Sequence, residues 1–149
     1  MEYLIRNFQE GDTTSLIVLC GKHAAHEQAH YEPKGKAMKL KSVLLSSPPA
    51  LHCWVVVVDG NVVGYASFTF DFSTWDAGYY LHVDCIFLDE PFRGLGIGKD
   101  LMNRLLQVAV QRGCINMQWQ TPAFNNQAIQ FYNRLGAQSL DKKRFFINF

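Results

Sequence analysis

Val83-Asp84-Cys85-Ile86-Phe87-Leu88, followed after a short connection by Arg93-Gly94-Leu95-Gly96-Ile97-Gly98-Lys99, is the stretch that decides the fold. An apolar, β-branched run enters a glycine-rich turn. The turn passes directly into an amphipathic segment that continues to about Arg112 and is stopped by Gly113. Glycines at 94, 96 and 98 let the backbone take unusual dihedrals and approach a ligand closely. The first amides of the helix have no intrahelical partner and point outward as donors, and the helix dipole adds positive potential. Such a strand–turn–helix junction binds anions and suits a diphosphate. Arg93 and Lys99 supply cationic donors beside it.

Spacing separates this turn from two other phosphate loops. A nucleoside-triphosphate loop needs four residues between its first glycine and Gly-Lys, then Ser or Thr. Here three residues separate Gly94 from Gly98-Lys99, and Asp100 follows. A dinucleotide fingerprint reads G-x-G-x-x-G in a first βαβ unit, whereas this turn reads G-x-G-x-G and lies late in the chain.

Outward from the turn, the periodicities predict one domain with the order β-α-α-β-β-β-α-β-α-β, an α+β fold with a mixed sheet and helices on its faces. Tyr3–Phe8 is expected as a strand. A helix over 13–30 follows, with Gly11-Asp12 offering a turn and N-cap, and a second helix spans 36–45. Strands are expected over 51–58 and 62–71, joined by a hairpin turn at Asp59-Gly60-Asn61, and over 79–88. Beyond the long helix come a strand over 115–121, a helix over 126–134 stopped by Gly136, and a last strand at Arg144–Phe149.

The 149 residues suit a single domain, and 48% apolar with 18% charged composition is that of a globular chain. The net charge of +1 and the absence of aromatics interleaved with Lys34–Lys41 argue against a nucleic-acid partner. No apolar run is long enough for a membrane span. The four cysteines form no CxxC pair, and with no secretory signal at the start a reduced, cytoplasmic protein is expected.

With these residues quoted, the chain resembles the GNAT superfamily of N-acetyltransferases. Arg93, Gly96 and Gly98 match that family's R/Q-x-x-G-x-G/A element. Asn125, Ala128, Phe131, Tyr132, Gly136 and Ala137 match its second element, N-x-x-A-x-x-F-Y-x-x-x-G-A/F. Within the superfamily, Phe70-Asp71 with Trp75, Tyr80-Leu81 before Asp84, and Phe92-Arg93-Gly94 are similar to the diamine (spermidine/spermine) acetyltransferases. Asp84 stands where those enzymes carry Glu, and residues 20–40 look unlike theirs.

The resemblance implies a mostly antiparallel sheet with splayed central strands and acetyl-CoA as co-substrate. It implies coenzyme contacts from Phe87, Leu88, the run Arg93-Gly94-Leu95-Gly96-Ile97-Gly98-Lys99, Asn125 and Tyr132. Tyr132 is the expected general acid for the coenzyme sulfur. A homodimer is expected at the level of the family, and a small-molecule amine as the partner in the reaction.

A lysine-like amine is almost wholly protonated at pH 7, and neutralising it costs roughly 4–5 kcal/mol. A carboxylate acting directly or through water is one proton acceptor, and Asp84, just upstream of the turn, is the candidate. Glu27, Tyr31, Glu32, Asp71, Trp75 and Asp84 are candidate acceptor-site residues, mixing negative charge with aromatic cover for a primary amine, with polyamines and lysine-like amino acids favoured. A non-catalytic acyl-CoA-binding module, or an enzyme acting on a protein amine or aminoglycoside, is the alternative. His26-Glu27-Gln28-Ala29-His30 spells H-E-x-x-H, but Pro33 and Gly35 interrupt the helix almost at once, so no metal is expected.

Overall fold

A computed structural model describes residues 1–149. Its elements are β1 (Leu4–Asn7), α1 (Thr13–His26), α2 (Lys36–Leu44), β2 (His52–Val58), β3 (Asn61–Ser73), β4 (Gly78–Leu88), α3 (Ile97–Gln111), β5 (Met117–Gln118) and α4 (Asn126–Arg134). They form one five-stranded sheet in the order β1-β2-β3-β4-β5. Neighbours are antiparallel except β4 and β5, which run parallel.

Burial on both faces explains why β2 and β3 read as nearly continuous apolar runs. Side chains alternate across a strand, so Val56, Ala66, Phe68, Leu81 and Val83 meet Ile97, Leu101, Leu105 and Ala109 of α3 on one face. Val55, Tyr65 and Phe87 meet Leu16 and Leu19 of α1 on the other. Asp59 (φ 48°) and Gly60 (φ 79°) turn the β2–β3 hairpin with positive φ at both central positions, the geometry whose twist matches that of the strands. Gly64 lets two strands close up, because a Cβ there would lie 2.5 Å from Leu88 Cδ2 and 2.8 Å from the Phe87 carbonyl oxygen.

Asp12 precedes α1, but its side chain does not cap the helix. It takes a two-pronged ion pair from Arg6 at 2.7 and 2.9 Å and a hydrogen bond from the Gln9 amide. The Arg6 guanidinium holds its carboxyl below the usual range.

α1 ends at His26 rather than His30. Gln28 adopts φ 59°, the Gln28 amide bonds the Ala25 carbonyl, and the Ala29 amide reaches back to the Ala24 carbonyl. This is the Schellman closure that glycine usually makes. Gly113 and Gly136 make it at the ends of α3 and α4 (φ 70° and 85°). His26 and His30 therefore do not share one helical face, and no three His, Cys, Asp or Glu side chains converge as a metal-binding group.

Two expected strands differ. β5 is two residues long instead of spanning 115–121. Arg144–Phe149 forms no strand: no sheet neighbour receives it, and Phe145, Phe146, Ile147 and Phe149 are exposed. All four cysteines are free thiols. Cys20, Cys53 and Cys85 pack against the α1-side core, and burial pushes the thiols of Cys53 and Cys85 up to about 12.

Candidate active site

β4 has a partner along its whole length on the β3 side but only briefly on the other. It is paired to β5 at Leu81–Met117 and His82–Gln118, and there the two strands part. From Val83 to Leu88 the β5-facing edge of β4 has no sheet partner, so apart from the Leu88 carbonyl, which Arg93 takes, its backbone donors and acceptors are open to an extended ligand. The opening is a cleft of about 390 Å³. One wall is Val83–Leu88, and the other is Trp119, Gln120, Thr121 and the start of α4.

One end of the cleft is basic. Arg93, Gly94, Gly96, Gly98 and Lys99 line it. Gly94 (φ 74°) and Gly96 (φ 85°) are left-handed with open space where a Cβ would stand, and Gly96 is the N-cap of α3. Gly98 is already helical, and a Cβ there would make only ordinary contact with the Phe131 ring at 3.5 Å. The leading amides of α3 have no intrahelical partner and Lys99 lines the same end of the cleft, a combination that suits an anion. Arg93 is tied back: its Nε donates to the Leu88 carbonyl at 2.8 Å, and its guanidinium lies 5.2 Å from the Phe87 ring. Asn125 lines the cleft and also caps α4, accepting from the Ala128 amide.

The other end holds acids. Asp84 lies about 13 Å up β4 from Leu88, at roughly 3.3 Å per residue. Ser67 pairs with Cys85 and Phe68 with Val83, so Asp84 is the extra residue of a β-bulge. A bulge re-aims a side chain, and this one leaves the Asp84 carboxylate exposed in the cleft, accepting from the Ser67 hydroxyl at 3.2 Å. Glu27, just past the end of α1, lines the same region with His23 and His26.

Tyr132, on α4, stands in the wall with its ring edge-on to Trp119 (centroids 5.2 Å apart). Burial, helped by the nearby Glu27, pushes its phenol up to about 12, so it keeps its proton at neutral pH.

Several residues expected in the site lie elsewhere. Tyr31 faces a separate pocket on the α1–α2 side, with the Lys36 ammonium 4.0 Å above its ring. Glu32 is exposed in the α1–α2 connection. Asp71 pairs with Tyr80 near the far end of the β3–β4 ladder, away from the split, and Trp75 is 94% exposed in the turn beyond it. Leu95 points to solvent, and the Ile97 side chain is core, leaving only its backbone at the turn. Cleft residues not anticipated from sequence include His23, Cys85, Trp119, Gln120, Thr121, Gln127 and Arg134. Of these, His23 carried a readable signal, four residues before Glu27 on one helix.

Residues 18–137 match the model of the acetyltransferase (GNAT) family. The chain belongs to this family. Its GNAT relatives include the thialysine N-epsilon-acetyltransferase of Bos taurus, 29% identical over 145 residues that cover 92% of this chain and 85% of that one. Another is the spermidine/spermine N(1)-acetyltransferase-like protein 1 of Homo sapiens, 26% identical over 96% of this chain but 22% of the longer human protein. The GNAT fold is matched over the full chain by the crystal structure of a possible acetyltransferase from Clostridium difficile 630, at TM-score 0.83, 19% identity and 99% coverage of that protein. The protein is thus an acetyltransferase of the GNAT type, with a mixed, mostly antiparallel sheet and helices on both faces.

Proposed function

We propose that the cleft takes acetyl-CoA along the free edge of β4 and that the chain moves the acetyl group to a primary amine of a small molecule. Polyamines and lysine-like amino acids are the favoured acceptors. The observation that carries this reading is the polarity of the cleft: an anion-binding helix start at one end, two carboxylates at the other, and a protonated phenol in the wall.

The residues fit the coenzyme. The free amides of α3 with Lys99 suit a pyrophosphate, and the unpaired edge from Val83 to Leu88 suits the amide-bearing pantetheine arm. Bound there, the coenzyme supplies an activated thioester. Asp84 and Glu27 would draw an ammonium group to the acidic end and orient it. Tyr132 would hold a proton for the leaving sulfur. The names of the thialysine and spermidine/spermine relatives support a cationic acceptor.

An acceptor screen with acetyl-CoA, reading released thiol, tests the reading. Thialysine, spermidine and ornithine are expected to react ahead of an aminoglycoside or a peptide amine. Preference for a neutral arylamine or a hydroxyl acceptor would defeat it. Coenzyme binding without turnover of any amine would instead leave an acyl-CoA-binding module.

Free thiols fit a reducing compartment such as the cytoplasm, and no helix is long and apolar enough to cross a membrane. The exposed apolar run at Phe145, Phe146, Ile147 and Phe149 is a surface that a second copy would cover, and it supports a homodimer. Sedimentation velocity is expected to show a dimer that becomes monomeric when Phe146 and Ile147 are replaced by Ser. A wild-type monomer at micromolar concentration would overturn that part.

A further inference from the structure

Acetyl transfer to an ammonium requires a destination for its proton, and one polar cluster in the cleft wall matches that need. His23 projects from α1 with its side chain 13% exposed. Its Nδ1 lies 2.9 Å from the Tyr65 hydroxyl and its Nε2 3.3 Å from Glu27 Oε2. The ring stacks on Phe87 with centroids 5.1 Å apart. His23 and Glu27 line the cleft together with Asp84 and Tyr132.

We propose that His23, backed by Tyr65 and paired with Glu27, is the group that takes the proton from the acceptor ammonium; this rests on the amine-acceptor reading above. Tyr65 makes the chemistry workable because a hydroxyl both donates and accepts. In one tautomer Tyr65 donates to Nδ1 and the Nε2–H faces Glu27. In the other, Nδ1–H donates to the Tyr65 oxygen and Nε2 turns a bare lone pair toward Glu27, so the carboxylate must swing aside for an ammonium group to reach it. An ammonium group only donates, so its arrival selects the second.

The step balances. An N–H bond of the ammonium breaks and its electron pair stays on nitrogen as the attacking lone pair. The proton forms a bond with Nε2. The imidazolium that results holds Nε2–H against the Glu27 carboxylate and Nδ1–H against Tyr65, whose own proton can turn toward Cys20 or Cys85. The proton then leaves to water after the product departs.

Asp84 is less suited to that task. A carboxylate is ordinarily a weaker base than an imidazole by about 2–3 pH units, and proton acceptors work best with values near the working pH. The groups facing His23 are Glu27 and His26 at the end of α1, Tyr65 from β3, Asp84 from β4 and Arg93 from the turn. Burial dominates and lowers the imidazole from its ordinary value, with His26 and Arg93 adding to it, while Glu27 and Asp84 oppose. The ring is therefore neutral and ready at pH 7.

The test uses acetyl-CoA at saturation with thialysine and spermidine as probes, following kcat/KM from about pH 5 to 9. The wild type is expected to lose activity as pH falls through the His23 value. His23→Asn, whose amide can still meet Tyr65, should lower kcat by about 10²–10⁴-fold and abolish that acid limb. Its amine KM should stay within a few-fold, and its thermal response to CoA should be kept. Glu27→Gln should move the limb to lower pH, because the imidazolium loses its anionic neighbour; a purely structural Glu27 would leave the limb in place.

An acid limb that survives His23→Asn, or that disappears in Asp84→Asn instead, overturns the proposal. If no amine is acetylated, the acceptor reading falls first. The His23 ring can still be titrated by NMR in wild type and Glu27→Gln, with no substrate and no destabilising change at His23. A ring fixed in one charge state between about pH 4 and 8, or indifferent to Glu27→Gln, overturns the proposal on its own.

Discussion

Tyr132→Phe is expected to bind CoA as the wild type does and to turn over about 10²–10⁴-fold more slowly. In the proposed mechanism the phenol, kept protonated by burial that pushes it up to about 12, is the donor, and the substitution removes one oxygen from a ring otherwise held by Trp119 and Phe131. Packing against those rings should survive, so stability and the CoA-induced rise in melting temperature should change little. The loss should fall on kcat rather than on KM, because proton donation to sulfur matters only as the thioester breaks. Stopped-flow or thiol-release kinetics at saturating acetyl-CoA measure it. Turnover equal to wild type would remove Tyr132 from the mechanism.

The second large effect belongs to Gly96. At φ 85°, immediately before the first helical residue, it sets the direction of the α3 amides. Gly96→Val places a β-branched residue where left-handed backbone is a strong outlier, at a cost of about 1–3 kcal/mol. The chain would relax by turning those amides away from the cleft. A ligand at 100 times its Kd stabilises a protein by about 2.7 kcal/mol, and a 100-fold loss of affinity reduces that to about 0.4 kcal/mol. The thermal shift with CoA should therefore nearly vanish, while the ligand-free protein still unfolds cooperatively. A shift of wild-type size in this variant would show that the helix start does not hold the pyrophosphate.

The parts of the fold legible in the sequence are those where a single residue type has few alternatives. α4 was readable to the residue, because Asn125 supplies a cap and Gly136 the left-handed stop. The β2–β3 hairpin was readable from Asp59-Gly60 for the same reason. The end of α1 was not: Gln28 takes the position glycine usually fills, and nothing in its chemistry announces a left-handed residue.

β5 and the run Arg144–Phe149 show a different limit. Both have strand composition, but strand pairing needs a neighbour, and the neighbour is a tertiary fact. β5 is cut short where its chain turns away from β4, and that parting is what opens the cleft.

The candidate site divides along similar lines. The glycine turn was legible from its spacing, whereas Asn125 and Tyr132 were singled out by the resemblance to the family's second element. Asp84 was legible as a residue, but its exposure depends on a bulge that appears only in the pairing of Ser67 with Cys85 and Phe68 with Val83. Asp71 and Trp75 stood beside Asp84 among the candidate acceptor-site residues, yet strand length carries them beyond the split.

The buried thiols bear on how turnover can be followed. Thiol-reactive dyes attack the thiolate, and Cys53 and Cys85, pushed up to about 12, hold only about one part in ten thousand as thiolate at pH 8. Cys20 is shifted the same way by its burial. The enzyme's own sulfur is therefore expected to contribute little background, bounded by one equivalent per chain from Cys114 at the end of α3 if that half-buried thiol reacts. Colour developing beyond that first equivalent reports free CoA, so continuous assays can run at high enzyme concentration, where weak acceptors become measurable.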